Sequence, residues 1–202
     1  MGKTVVMAEK MKNLMARLKD TGFEVPTRIN LSVENARQRL YNGLSYMLKQ
    51  QGEHQGTQWL PEYEQIACWL SDNKGKGLLL AGSCGRGKTL IATRVLPLFF
   101  AERHLVYNIF NSYDLNRMQR EVFGCKILCI DDLGIENESV QYGERRNVFV
   151  ELIDSVEKKG KLLVVTTNLA QSEIVEKYGT RTIDRIYSCC KIVPFNGCSL
   201  RK

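Results

Sequence analysis

The stretch Leu78-Leu-Leu-Ala-Gly-Ser-Cys-Gly-Arg-Gly-Lys-Thr89 predicts both a fold class and a class of ligand. Its first four residues form an apolar run that is typical of a buried strand. Its last eight residues match the phosphate-binding pattern G-x-x-x-x-G-K-[ST] in full, and the helical run Leu90 to Phe100 follows directly. Strand, loop and helix stand in the order that this motif needs, which disfavours the alternative of a chance glycine turn.

The loop supplies the groups that hold phosphate. Its glycines let backbone N–H groups wrap the phosphates, and the N-terminus of the following helix adds its dipole. We expect Lys88 to reach the terminal phosphates and Thr89 to hold Mg²⁺. The expected nucleotide-binding residues are Gly82, Ser83, Cys84, Gly85, Arg86, Gly87, Lys88, Thr89 and Leu90. Cys84 is open to two interpretations, redox control near a helix N-terminus or a small filler side chain.

A second apolar run, Lys126-Ile-Leu-Cys-Ile130, delivers Asp131 and Asp132 at its end. Open α/β sheets bind ligands at the carboxyl ends of their strands. We expect Asp131 to hold the Mg²⁺ shell and Asp132 to orient the attacking water, because phosphoryl transfer depends on positioning and charge stabilisation. The alternative is a pair of exposed turn carboxylates.

Two further stretches carry candidate site residues. Lys161-Leu-Leu-Val-Val-Thr-Thr-Asn168 is an apolar strand with a polar end, and Asn168 either points to the γ-phosphate or caps the turn before Ser172. Tyr178 to Ile186 reads as a short helix on which Arg181 and Arg185, four residues apart, share one face. An exposed basic face is the simpler interpretation of these arginines.

The remaining sequence sets the architecture. Short apolar runs alternate with helical stretches from Gly75 onward, which predicts an α/β fold with a parallel sheet. Val33 to Gln51 and Pro61 to Asp72 read as helices, and Met7 to Asp20 as an amphipathic helix. The last of these either docks on its own domain or binds a partner through its methionines.

Composition restricts the function classes. The 202 residues are 44% hydrophobic and 25% charged, as in an ordinary globular protein, and the net charge of +7 favours an anionic partner without identifying it. The sequence contains no apolar run of the roughly 18 residues that a membrane helix needs, so we expect no membrane partner. Seven cysteines without a CxxC pair indicate reduced thiols and a cytoplasmic protein, and their spacing disfavours zinc.

The motifs together resemble the DnaC/IstB branch of AAA+ ATPases, and most closely helicase loaders of the DnaC type. The resemblance covers residues 75–202 and rests on five segments of the sequence: GSCGRGKT (82–89), ILCIDDLG (127–134), VVTTNL (164–169), YGTRTIDRI (178–186) and FNGCSLR (195–201). It implies a P-loop AAA+ core, a five-stranded parallel sheet of order 5-1-4-3-2 between helices, with a small helical N-terminal segment.

The resemblance also implies roles for single residues. Lys88 and Thr89 correspond to the Walker A pair, and Asp131 and Asp132 to the Walker B acids. The sensor and trans-acting residues would be Asn168 (sensor 1), Arg185 (arginine finger), Arg201 (sensor 2) and, as a helper, Arg181. The implied division is a helical partner-binding segment (1–50), a linker and helix (51–74) and the ATPase core (75–202).

By the same resemblance, the protein would be an ATP-dependent DNA replication loader. It would bind a hexameric replicative helicase and single-stranded DNA, form a self-oligomer with ATP and Mg²⁺, and hydrolyse ATP to release the helicase. Two departures stand out. The insertion between strands two and three is short (111–124), which weakens the single-stranded DNA assignment and leaves Arg117 and Arg120 as candidates, and Ser155 replaces a family arginine.

Three other functions remain open at this stage. The first is an IstB-type transposition helper that binds double-stranded DNA through the same core. The second is an ATP switch or adaptor that does not hydrolyse its nucleotide. A P-loop kinase for small molecules is the third, and it fits poorly because the sequence contains no acceptor-site signature.

Overall fold

The structure is a computed structural model that describes residues 2–21, 26–52, 56–136, 139–141 and 144–200. Its helices are α1 (Gly2–Asp20), α2 (Ala36–Gln50), α3 (Pro61–Ser71), α4 (Lys88–Leu90), α5 (Leu96–Ala101), α6 (Gln119–Gly124), α7 (Val148–Lys159), α8 (Gln171–Tyr178) and α9 (Thr180–Cys189). Its strands are β1 (Gly77–Gly82), β2 (Asn108–Asn111), β3 (Ile127–Leu133), β4 (Ser139–Gln141), β5 (Glu144–Arg146), β6 (Leu162–Thr167) and β7 (Cys190–Phe195).

Five strands form one parallel sheet in the order β2-β3-β6-β1-β7. Counted along the chain, these are strands 2-3-4-1-5 of the sheet, so the predicted order 5-1-4-3-2 is confirmed. β6 lies in the middle and is buried along its whole length, as expected for a strand covered by helices on both faces. The remaining strands, β4 and β5, pair only with each other as an antiparallel hairpin that the sequence analysis did not predict.

Alternate residues of β1 reach opposite sides of the sheet. Leu78 and Leu80 pack in a cluster with side chains of α2, α3 and α5, whereas Leu79 packs in a second cluster with side chains of α7 and α9. Successive side chains of a strand point to opposite faces, so this division follows from the strand itself. The helices α2 and α3 therefore share a hydrophobic core with the strand that leads into the phosphate loop.

The second strand of the sheet begins later than predicted. The apolar run Leu105 to Phe110 predicts a strand from its first residue, whereas β2 starts at Asn108. The preceding residues are held against α5 instead, because the Leu105 N–H donates to the Phe100 carbonyl and the Tyr107 ring stacks on Phe100. Contacts with the helix outweigh strand pairing there.

The predicted helical run Leu90 to Phe100 is helical throughout, but it is not a regular α-helix. Residues Ile91–Val95 form a π-helical turn between α4 and α5, and the Leu96 N–H donates to the Ile91 carbonyl five residues back. Pro97 lies just beyond and has no N–H with which to continue the α-helical pattern. The proline thus gives a local reason for the irregularity.

The helix α1 exposes its apolar residues. Met7, Met11 and Leu14 are 70%, 54% and 50% exposed, and they recur at helical spacing on one face. The structure therefore favours the interpretation of α1 as a helix that does not dock on its own domain. Within the described residues, no helix has the length and apolar character needed to span a membrane.

Candidate nucleotide-binding site

Three strand ends bring the predicted site residues to one edge of the sheet. β1 and β3 are both hydrogen-bonded to β6, with Ala81 and Leu133 each in register with Thr167. The phosphate loop follows β1, the two aspartates end β3, and Asn168 follows β6. Parallel strands end at the same edge, so the sequence motifs meet in space although up to 86 residues separate them.

Backbone geometry in the loop depends on two of its glycines. Gly87 has φ of 89°, and a Cβ there would lie 2.9 Å from the Tyr63 hydroxyl. Gly82 has φ of 122°, and a Cβ there would lie 2.4 Å from the Phe195 carbonyl oxygen. Any side chain would be strained in these conformations and would clash with a neighbour, so both positions require glycine.

Lys88 places its ammonium group inside the loop. The side chain is 5% exposed, and its Nζ donates to the carbonyls of Gly82 and Ser83, at 2.7 Å each. The Phe195 ring lies below, with its centroid 5.9 Å from Nζ. Thr89, the next residue, is exposed. A buried cation surrounded by loop carbonyls is suited to an anionic ligand that would exchange for those carbonyls.

The two aspartates have different environments. Asp131 is buried and accepts a 2.6 Å hydrogen bond from the Thr166 hydroxyl, and the Asp132 N–H donates to the same hydroxyl oxygen at 2.9 Å. Asp132 has φ of 55°, where the register of β3 against β6 shifts, and its carbonyl accepts from Ser112. The strand therefore turns at the pair.

Asn168 is exposed and does not cap the turn after β6. The neighbouring Thr167 does this instead, since its hydroxyl donates to the Leu133 carbonyl and accepts from the Leu169 N–H. The N–H of Ala170, at the start of α8, donates to Glu173. The capping role that was the alternative for Asn168 is thus filled by other residues.

Arg185 lies in ion pairs within its own chain. Its side chain is 14% exposed and binds Asp154 and Glu157 of α7, the latter at 3.1 Å. Arg181, one turn earlier on α9, is exposed. The alternative interpretation, an exposed basic face, therefore does not describe Arg185, whose guanidinium is paired with acidic side chains of α7. Arg201, the expected sensor-2 residue, lies outside the described residues.

The segment after the aspartates is anchored to α8. Glu136 is buried and accepts from the Gly134 N–H at 2.8 Å and from the Tyr178 hydroxyl. Burial and the neighbouring Glu136 carboxylate raise the pKa of Tyr178, so its hydroxyl remains a donor. Lys177 completes the cluster by donating to the Gly134 carbonyl at 2.5 Å. No local pattern in the sequence indicates this arrangement.

A second contact network around the loop was also missed by sequence reasoning. Arg86, a variable position of the motif, is buried and pairs with the buried Glu62 of α3 at 2.6 Å. The Tyr63 hydroxyl donates to the Arg86 carbonyl, and burial with the nearby Glu62 charge raises the pKa of Tyr63 to about 12. A proline at the first position of α3 followed by Glu-Tyr was the only signal, and it marks a helix start rather than a site.

The candidate DNA-binding residues follow β2. Arg117 has a side chain that is 78% exposed and pairs with Asp114 at 2.9 Å, and Arg120 is exposed. Tyr113, in the same segment, is 61% exposed. Exposed cations beside an aromatic ring are the elements of a single-strand binding surface, and they equally describe a solvated surface.

The donor set fits a magnesium-bound nucleotide. Lys88 offers the cation for the phosphates, and Thr89 with Asp131 offers the hydroxyl and carboxylate oxygens that Mg²⁺ prefers. Among the described residues, no group of three or more His, Cys, Asp or Glu side chains is placed to hold a metal ion alone. Mg²⁺ is commonly held by one or two protein oxygens together with substrate phosphates, which agrees with this sparse ligand set.

Comparisons with known proteins show similarity of fold. No protein-family profile and no curated protein matches the chain. The structure of the DnaC helicase loader is similar, with 20% identity, a TM-score of 0.53 and coverage of 69% of this chain and 93% of that one. DnaI is similar with 22% identity, a TM-score of 0.50 and coverage of 60% and 73%.

A third similar structure is AMPPCP-bound DnaA from Aquifex aeolicus, with 14% identity and a TM-score of 0.51. The similar region covers 66% of this chain and 45% of the DnaA chain. Identities this low speak for the fold alone: the five-stranded parallel sheet between helices is similar to the fold of the DnaC helicase loader and of DnaA, which agrees with the fold that the sequence resemblance implied.

Proposed function

We propose that this chain is an ATP-hydrolysing loader of a hexameric replicative helicase. The observation that carries the proposal is the meeting of a complete phosphate loop with Asp131 and Asp132 at one sheet edge. The fold supports it, because the DnaC helicase loader and the AMPPCP-bound DnaA share it. The seven cysteines are free thiols, which supports a reducing, cytoplasmic setting.

Nucleotide binding would rest on the phosphate loop. The Lys88 ammonium would exchange its two carbonyl partners for phosphate oxygens, which gives the anion a preformed, partly desolvated cation. The N–H groups of Gly85 to Lys88 and the start of α4 would complete the cradle. Thr89 and Asp131 would hold Mg²⁺, which supplies charge neutralisation at the phosphates when bound.

Hydrolysis would depend on residues that orient water and stabilise charge. Asp132, which follows Asp131 and has a left-handed backbone, is the candidate that orients the attacking water. Asn168 is exposed at the neighbouring strand end and is the candidate sensor of the γ-phosphate. Arg185 would act in the site of an adjacent protomer, where an arginine finger contributes ~10³ to 10⁵ in rate.

The contacts of Arg185 predict a poor ATPase in the free protomer. Its guanidinium is engaged by Asp154 and Glu157, so it would have to leave these partners before it reached another subunit. These acids are 31% and 38% exposed, and such partly solvated pairs break at modest cost. ATP would then bridge two protomers, and its hydrolysis would remove contacts that hold the self-oligomer together.

Partner binding would use exposed surfaces outside the site. The apolar stripe of α1 has the spacing of a helix that enters a partner's groove, and the helicase would be that partner. Single-stranded DNA would contact Arg117 and Arg120, which are both exposed in the segment after β2. The basic net charge of +7 supports a nucleic-acid contact without selecting its strand type.

The test is ATP turnover over a protein concentration series, with no DNA, single-stranded DNA or duplex DNA. We expect turnover to rise steeply with concentration, to increase with single strands, and to be lost in Lys88→Ala and Arg185→Ala. Arg39→Ala, which removes an exposed arginine remote from the loop, is the control that should leave turnover unchanged.

Each other outcome points to a different function. Stimulation by duplex DNA alone would favour the transposition helper. Nucleotide binding without turnover in the wild-type protein would favour an ATP switch. Turnover that is indifferent to DNA, to concentration and to Arg185 would contradict the loader mechanism.

A further inference from the structure

Arg86 occupies a position of the phosphate loop where the motif uses only the backbone. Arginine is rarely buried unless it is paired, and this residue is only 8% exposed. Its Nε and Nη2 each lie 2.6 Å from Oε1 of Glu62, which is 4% exposed, and its Nη1 donates to the Cys198 carbonyl at 3.0 Å. The guanidinium is thus directed towards Glu62 and the Cys198 carbonyl and is fixed by three contacts.

The backbone of the same residue is held as well. The Tyr63 hydroxyl donates to the Arg86 carbonyl at 3.0 Å. The first turn of α3 therefore contacts both the side chain of Arg86, through Glu62, and its main chain, through Tyr63. On the other side, the Leu200 N–H donates to the Gly85 carbonyl at 2.9 Å. A Cβ at Gly197 would lie 2.8 Å from Arg86 Nη1, which shows how closely this segment approaches.

We propose that the Glu62–Arg86 pair is a positioning element that holds the phosphate loop from outside in its nucleotide-binding conformation. A loop with three glycines among the six residues 82–87 has a large conformational entropy, which an anion would otherwise have to remove on binding. Groups that fix the bound conformation in advance raise affinity by reducing this cost. The inference rests on the proposed function, since the bound ligand is taken to be a nucleoside triphosphate.

The location of the pair also links two parts of the chain. Glu62 belongs to α3, whose Ile66, Trp69 and Leu70 pack in the same core as α2. Movement of α3 would therefore reach the loop through Glu62 and Tyr63. Neither Glu62 nor Tyr63 would touch the nucleotide, so both are positioning residues.

The test separates positioning from stability by removing one or both charges. Glu62→Leu leaves the Arg86 guanidinium buried without its carboxylate, and Arg86→Met leaves the Glu62 carboxylate buried without its guanidinium. Each single variant therefore destabilises the fold. The double variant Glu62→Leu/Arg86→Met removes both charges and restores packing, so its thermal midpoint should return towards the wild-type value. The matched control is Glu102→Leu/Arg39→Met, an exposed pair that also joins α2 to the core but lies away from the loop.

Affinity for Mg-ATP is measured by calorimetry, with KM and kcat from turnover. We expect the double variant to bind about tenfold more weakly and to show a raised KM with kcat nearly unchanged at saturation, because the energetic cost falls on binding. The control pair should keep wild-type affinity. A folded double variant with affinity within about twofold of wild type would overturn the positioning role.

Two further variants keep the result interpretable. Arg86→Lys retains the buried charge and one contact to Glu62, so it should fold and show an intermediate loss of affinity; wild-type affinity in it would also count against the proposal. Lys88→Ala tests the proposed function separately. Wild-type protein that binds Mg-ATP, with Lys88→Ala that does not, keeps the function even when the pair proves dispensable, whereas wild-type protein without affinity would overturn both.

Discussion

The hydroxyl of Thr166 donates a 2.6 Å hydrogen bond to the carboxylate of Asp131 on the neighbouring strand. The same oxygen accepts the Asp132 N–H, so one threonine fixes both acidic residues. Thr166 is fully buried in the central strand β6 and cannot turn to solvent. The expected Mg²⁺ ligand and the expected water-orienting residue are thus positioned by one side chain.

Replacement of this threonine by an isosteric apolar residue should separate the two acids from their support. Thr166→Val removes one hydrogen-bond partner from the Asp131 carboxylate and one from the Asp132 N–H, at about 1–3 kcal/mol for each lost partner. We expect a lower free energy of unfolding in chemical denaturation. We also expect weaker Mg²⁺ binding, so that half-maximal turnover needs a higher Mg²⁺ concentration. The control is Thr167→Val, which breaks contacts with Leu133 and Leu169 instead; an equal catalytic defect there would refute the specific role of Thr166.

The left-handed backbone of Asp132 gives a second prediction. Asparagine tolerates positive φ, so Asp132→Asn should fold like the wild type and bind nucleotide, but it should lose most turnover because an amide cannot polarise water as a carboxylate does. Asp132→Val should lose at least about 1 kcal/mol of stability in addition, because β-branched residues are strained in this region. Normal turnover by Asp132→Asn would remove Asp132 from the mechanism.

The ion pairs of Arg185 give a third. Asp154→Asn with Glu157→Gln should release the guanidinium, so the rise of ATP turnover with protein concentration should begin at lower concentration. The cost in stability should stay below about 1 kcal/mol, because both acids are partly exposed. Arg181→Ala, on the exposed side of the same helix, is the control. A higher concentration threshold in the double variant would show that these contacts help assembly rather than hinder it.

Cysteine reactivity should follow burial. Burial raises the pKa of Cys129 to about 12 and also raises the pKa of Cys190, so neither forms appreciable thiolate at pH 8. We expect rapid alkylation of the exposed Cys68, Cys84 and Cys198 and slow alkylation of the buried thiols, as read by mass spectrometry of labelled peptides. Mg-ATP should protect Cys84 alone. Equal labelling of Cys129 would contradict the described core.

The same thiols predict how stability changes with pH. In the unfolded chain, the Cys129 thiol loses its proton near its ordinary pKa of 9, whereas in the folded chain it keeps the proton to about 12. The unfolded state therefore binds fewer protons between these values, and stability should be retained below about pH 9 and fall as the pH rises from there. Denaturation at pH 8 and pH 10.5 tests this, and no decline in stability would be the contrary result.

Exposed and buried leucines should differ sharply in their contribution to stability. Leu14→Gln in α1 changes a half-exposed side chain and should alter the free energy of unfolding by less than about 0.5 kcal/mol. Leu40→Ala in α2 removes a fully buried side chain and should cost about 2–5 kcal/mol. Thermal denaturation of both variants measures this. A large loss in Leu14→Gln would mean that α1 docks on the core after all.

The sequence predicts local and periodic features well. The strand containing Leu78 to Ala81, the acidic strand end and the order of the sheet follow from apolar runs, motif positions and family resemblance, and the structure confirms them. The late start of β2 and the hairpin were not predicted, because packing of Tyr107 on Phe100 and pairing of two three-residue strands leave no periodic signal.

The parts of the site that the sequence did not reveal are pairs between distant charged residues. Arg86 with Glu62 is 24 positions apart and Arg185 with Asp154 is 31 apart, and neither distance matches a helical or strand repeat. In a chain that is 25% charged, many other pairings were equally compatible with the sequence. Only the packing of α3 on the loop and of α9 on α7 selects these pairs.

The π-helical turn at Ile91–Val95 contains one residue more than the α-helical turn that would take its place. Such a turn can arise by a single-codon insertion, and the surplus is absorbed within the turn while the phosphate loop before it and the core residues after it keep their places. Relatives that lack it should differ by a one-residue gap at this point in an alignment. Deletion of a single residue there is then the least disruptive deletion in the helix, since it would regularise the helix and leave the register of both ends intact.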